Sequence, residues 1–77
     1  MSKTTAVFTR LAENWPSAFV AREKVSEFSG GVLHPRTLAN LDSLGKGPKG
    51  RVRIGRKVAY PVENLIKWLE ARVEVLE

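Results

Sequence analysis

Six cationic side chains fall within twelve residues, Lys46, Lys49, Arg51, Arg53, Arg56 and Lys57, with no acidic residue among them. Side chains of this type and density bind phosphate, because each contact releases condensed counterions and a local cluster focuses the field. The clustering is specific to this segment. Residues 1–45 carry five Lys/Arg against four Asp/Glu, and residues 58–77 carry two against four, so nearly all of the net +5 resides in the middle. A second set, Arg36, Thr37, Asn40 and Ser43, recurs at helical spacing on the polar side of an apolar stripe. An arginine can pair with guanine and an asparagine with adenine through two hydrogen bonds each, so this set has the chemistry of base reading.

Other chemistries find little support in the residues. No nucleophile stands near a His/carboxylate pair, and the connector GKGPKG lacks the Lys-Ser/Thr ending of a phosphate-binding loop, so no catalytic residue is expected. His34 is the single histidine and cysteine is absent, which excludes disulfides and cysteine-based zinc fingers and leaves no metal or other cofactor to expect. Capping or a phosphate contact is the expected role of His34. Trp15, Tyr60 and Trp68 could in principle stack on bases, but their spacing places them in or beside the core. No apolar run approaches the roughly 20 residues of a membrane span and the N-terminus lacks a signal-peptide core, so a cytoplasmic location without membrane association is expected.

These residues need a scaffold, and 77 residues suffice for one core. Residues 1–18 are expected to form an arm or short helix, with Val7, Phe8 and Leu11 at helical spacing before Pro16, and residues 19–77 the folded domain. Ala21–Phe28 predicts a first helix with Ala21, Val25 and Phe28 on one face, ended by Gly30-Gly31. Pro35 opens a second helix reaching Leu44, with Leu38, Leu41 and Leu44 inward, and Gly45 ends it. Val52/Ile54 and Val58/Tyr60 alternate with polar or small residues, the pattern of a two-stranded hairpin. A three-residue loop, Gly55-Arg56-Lys57, is favoured here, because it sets Ile54 opposite Val58 and spares Lys57 from pointing inward. A final helix from Val62 to about Leu76 closes the core through Val62, Leu65, Ile66, Leu69, Val73 and Leu76. Val75, off that stripe, offers an apolar contact for self-association. The fold class is therefore α+β.

The order of helix, glycine turn, proline-initiated helix, basic hairpin, Tyr60-Pro61 and a helix with Trp68-Leu69 resembles a known family. It is similar to the excisionase-type winged helix-turn-helix proteins of phages and integrated elements, relatives of the MerR-type domain. The matching residues are Arg36-Thr37-Leu38, Gly45-Lys46-Gly47-Pro48, Val52 to Val58, Tyr60-Pro61 and Trp68-Leu69, and the likeness covers about Phe19 to Arg72. His34 departs from the Ser or Thr that often precedes the proline. The resemblance implies that the second helix enters the major groove of duplex DNA, read by Arg36, Thr37, Asn40 and Ser43. It also implies a wing that places Lys46, Lys49, Arg51, Arg53, Arg56 and Lys57 on phosphates or in the adjacent minor groove. The function implied is that of a recombination directionality factor bending DNA, with an integrase or recombinase and further copies of the chain on adjacent sites as partners. A transcriptional regulator of a phage or mobile element would use the same surface. An assembly module, such as the DNA-recognising part of a terminase small subunit, is the alternative of another class.

Overall fold

The computed structural model describes residues 3–73, arranged as four α-helices and a three-stranded antiparallel sheet, an α+β fold. Helix α1, Lys3–Asn14, buries Phe8 and lies along the C-terminal helix, and Trp15 and Pro16 end it. Trp15 closes the turn by donating its indole N–H to the Phe19 carbonyl at 2.8 Å, with its ring edge-on to Phe28 at 5.4 Å. Strand β1, Phe19–Ala21, follows, then a single 3-10 turn Arg22–Lys24 and the short helix α2, Val25–Phe28.

Helix α2 and helix α3, Pro35–Ser43, end by the same device. Gly31 N–H reaches Ser26 O and Gly30 N–H reaches Glu27 O, while Lys46 N–H reaches Leu41 O and Gly45 N–H reaches Asp42 O. Both are Schellman motifs, and each needs a left-handed residue supplied by Gly30 (φ +66°) and Gly45 (φ +72°). Between them, Ser29 Oγ donates to Val25 O and accepts from Leu33 N–H, fixing the turn before α3. Pro35 stands at the start of α3, and His34 takes the N-cap position with an extended backbone but makes no side-chain cap bond. The capping role expected of His34 is thus not made: its backbone carbonyl takes the first helical bond while the imidazole stays exposed.

Strands β2, Val52–Ile54, and β3, Lys57–Pro61, form the hairpin, and helix α4, Val62–Arg72, completes the chain. The strand order β1-β3-β2 puts β3 at the centre, with Val20 opposite Tyr60 and Arg53 opposite Val58. The core is Val20, Val25, Phe28, Leu33, Leu38, Tyr60, Val62 and Leu65, with Leu11, Trp15, Ile66, Trp68 and Leu69 packed against it. Among the described residues no helix is long and apolar enough to cross a membrane.

Several expectations are corrected. The sheet has a third strand, because Phe19–Ala21 pairs with β3, and the expected helix over Ala21–Phe28 shrinks to the 3-10 turn plus one turn of α-helix. The hairpin loop has two residues, Gly55-Arg56, and Ile54 faces Lys57, not Val58. Gly55 at φ +63° occupies the first loop position, where a two-residue hairpin turn with glycine leading is well matched to strand twist. This register does not bury Lys57. Instead the hairpin reaches past the core: Ile54 is 64% exposed, and Lys57 reaches sideways to Glu23 at 2.7 Å. Leu44, expected inward, is 67% exposed, since α3 ends at Ser43 and turns away through Gly45. In α4 the stripe is buried at Val62 and Leu65, Val73 is exposed, and Val75 and Leu76 lie outside the described residues.

Candidate nucleic-acid interface

Helix α3 turns one face inward through Leu38 and Asp42, which leaves Arg36, Thr37, Asn40 and Ser43 exposed. The four do not form a uniform row. Thr37 borders an apolar groove with Phe8 and Leu11 of α1 and Leu69 of α4, whereas Ser43 borders a groove shared with Arg51 and Arg53 of the hairpin. Ser43 Oγ also donates to the Asn40 carbonyl at 2.8 Å, so its proton is used within the last turn of the helix. Arg36 and Asn40 lie between these borders, and among the described residues neither side chain has a hydrogen-bond or ion-pair partner.

The connector after α3 is held down on α4. Pro48 is fully buried, the Trp68 indole N–H donates to Lys46 O at 2.9 Å, and the Asn64 amide donates to Lys49 O at 2.9 Å. These bonds use backbone carbonyls and leave both lysine side chains exposed. Lys49 therefore lines a groove with Lys67 and Trp68, on the α4 side of the connector and apart from the hairpin arginines. Arg51 and Arg53 share the α3 side, while Arg56 and Lys57 border a groove with Pro35 at the opposite end of α3. All six basic residues of the segment are exposed.

Two of the six have anionic partners. Lys57 Nζ pairs with Glu23, whose pKa is lowered by that hydrogen bond and charge, and Arg51 Nη1 stands 3.7 Å from Asp42 Oδ1. Among the described residues Arg36, Lys46, Lys49, Arg53 and Arg56 form no ion pair, so their charge is compensated by solvent ions alone. Glu63 and Glu70, exposed on α4, do not reach this group.

A polar centre that no local motif in the sequence announces lies beneath the site. Asp42 is only 5% exposed, and its Oδ2 accepts from Tyr60 Oη at 2.6 Å and from Arg22 Nη2 at 2.6 Å. Arg22 Nε in turn donates to Tyr60 Oη at 2.9 Å, which closes a triangle of α3, β3 and the 3-10 turn. Burial raises the Tyr60 pKa above its ordinary 10.0, and the hydrogen bond to the carboxylate adds to the shift. Burial opposes the Arg22 charge, but its hydrogen bonds to Tyr60 and Asp42 outweigh that and raise its pKa. One signal was available in the chain: Asp42 sits four residues after Leu38, an acid in register with the apolar stripe of a basic protein. A carboxylate at such a position is tolerated when paired and hydrogen-bonded.

Among the described residues no three His, Cys, Asp or Glu side chains group as metal ligands. Compared with protein-family models, curated proteins and solved structures, the chain matches none.

Proposed function

We propose that the chain is a winged helix-turn-helix protein of excisionase type that binds duplex DNA sequence-specifically and bends it during recombination. The observation that carries the reading is the uncompensated charge of Arg36, Lys46, Lys49, Arg53 and Arg56 around an exposed α3 and a protruding hairpin. In this reading α2 and α3 are the helix-turn-helix, α3 lies in the major groove, and the β2-β3 hairpin is the wing. Arg36 pairs with guanine O6 and N7 and Asn40 with adenine N6 and N7, while the wing cations neutralise phosphates and fix register. In this reading Arg56, at the hairpin loop, enters the minor groove. Binding of this kind needs no cofactor and involves no catalysis. One small module buries a limited interface, so several copies on adjacent sites, together with a recombinase, would supply the rest.

Fluorescence anisotropy of a labelled random duplex across a salt series tests the reading. Wild type should lose affinity with a log–log slope of several units, and Arg56→Glu should flatten the slope by about 0.9 or more. An absence of salt-dependent binding would refute DNA binding. Gel mobility with circularly permuted sites then separates a bending protein from a regulator that leaves the duplex straight.

A further inference from the structure

The groove between the last turn of α3 and the start of β2, about 300 Å³, is lined in part by Asp42, one of whose carboxylate oxygens is buried and has no hydrogen-bond partner among the described residues. That atom is Asp42 Oδ1, and its side chain is 3% exposed. The companion oxygen Oδ2 is fully occupied by Tyr60 and Arg22. Oδ1 packs against Gly47 of the connector, and among the described residues the cation paired with it is Arg51, whose Nη1 at 3.7 Å is too distant for a hydrogen bond but close enough for charge attraction. Arg51 is 48% exposed, and a guanidinium carries five N–H donors in one plane, so the edge turned away from Asp42 faces the groove and solvent. Arg53 lines the same groove with no ion pair among the described residues. Three guanidinium groups, Arg22, Arg51 and Arg53, and one carboxylate thus line the groove, which keeps a net positive charge.

We propose that this groove is the seat of one backbone phosphate of duplex DNA, bound by Arg51 and Arg53, with Asp42 as the positioning residue that holds the Arg51 guanidinium over it. The assignment rests on the DNA-binding reading above. Its geometric basis is general: a helix in one groove of a duplex and a hairpin in the next must straddle the phosphodiester strand that separates the grooves. That strand passes over the channel between α3 and β2, where the two arginines are. Arg22 does not serve the phosphate, because its Nε and Nη2 are spent on Tyr60 and Asp42. Ser43, on the rim, has its proton committed to Asn40 O. A planar fork suits two phosphate oxygens at once, and anchoring it by one edge lowers the entropy lost on contact.

The test is the same anisotropy salt series on Arg51→Gln, Arg53→Gln, Asp42→Asn and the Asp42→Asn/Arg51→Gln pair. Each arginine variant should flatten the slope by about 0.9 and weaken binding about eightfold at 0.1 M salt, the share of one phosphate contact. Asp42→Asn is decisive by sign. Removing a negative charge from a DNA-binding protein should by simple attraction strengthen binding, whereas loss of the positioning carboxylate should weaken it and flatten the slope. On the Arg51→Gln background Asp42→Asn should change nothing further, since it acts through Arg51. Tighter binding by Asp42→Asn, or an effect fully additive with Arg51→Gln, would overturn the positioning role. Unchanged slopes for both exposed arginine variants would overturn the seat, and these two remain informative if Asp42→Asn does not fold. If wild type binds with a steep salt dependence while all variants match it, the seat fails and DNA binding stands. If wild type does not bind, the DNA reading itself fails and the seat is overturned with it.

Discussion

Tyr60 Oη donates a 2.6 Å hydrogen bond to Asp42 Oδ2, tying the central strand β3 to the last turn of α3. The two elements proposed to touch DNA are therefore locked together by a buried polar contact, with Arg22 as the third member. Such a contact is directional in a way that apolar packing is not. It fixes how α3 sits against the hairpin, which is the quantity a two-groove reader must hold constant.

Replacing Tyr60 by Phe removes the hydroxyl and keeps the ring. Asp42 would lose one of its two hydrogen bonds while remaining buried, and bonds to charged groups contribute about 2 kcal/mol each. Urea unfolding followed by circular dichroism should show a lower midpoint that corresponds to a loss of stability of about that size, with the native spectrum retained. An unchanged midpoint would show that the triangle contributes nothing to stability.

The same residue gives the fold an alkaline limit. Its folded pKa is raised above 10.0 while the unfolded phenol titrates near that value, so below pH 10 both states hold the proton and stability is unaffected. As pH rises past 10 the unfolded chain releases its proton first, and stability falls until the folded pKa is passed. Thermal melts of wild type should decline over that window more steeply than those of Tyr60→Phe. Parallel curves would place the alkaline sensitivity elsewhere.

Gly47 is packed against the Asp42 side chain so closely that an added Cβ would overlap Oδ1. Gly47→Ala must push the carboxylate from its partners, and an overpacking strain of about 1–3 kcal/mol is expected. Gly45→Ala is a useful contrast, because nothing crowds that position and its cost comes from the positive φ alone. If DNA binding is also measured, Gly47→Ala should weaken it through Arg51 and Gly45→Ala should not.

The hairpin register is tested by a truncation at Ile54, with buried Leu38 of α3 as the reference. Leu38→Ala, at a fully buried position, should cost about 2–5 kcal/mol, whereas Ile54→Ala, 64% exposed, should stay within about 0.5 kcal/mol. A large loss at Ile54 would favour the alternative three-residue loop that faces Ile54 toward Val58.

What the residues by themselves determined is local. Helical periodicity and Pro35 placed α3, glycines placed the ends of α2 and α3, β-branched alternation placed the hairpin, and the run of cations without acids marked the segment that bears the candidate site. Each of these depends on neighbours within a few positions, so a pattern in the chain suffices. Only the tertiary structure decided what depends on distant partners. Strand β1 exists because Phe19–Ala21 meets β3 some forty residues later, and three residues are too few to carry their own signal. The register followed from how far the hairpin projects beyond the core, a matter of shape that alternation does not encode. Lys49 and Thr37 were separated from their expected companions by the seating of the connector and of α1 on α4. The Asp42 triangle joins residues 22, 42 and 60, and a charged group in the interior is stable only when the fold brings its partners to it.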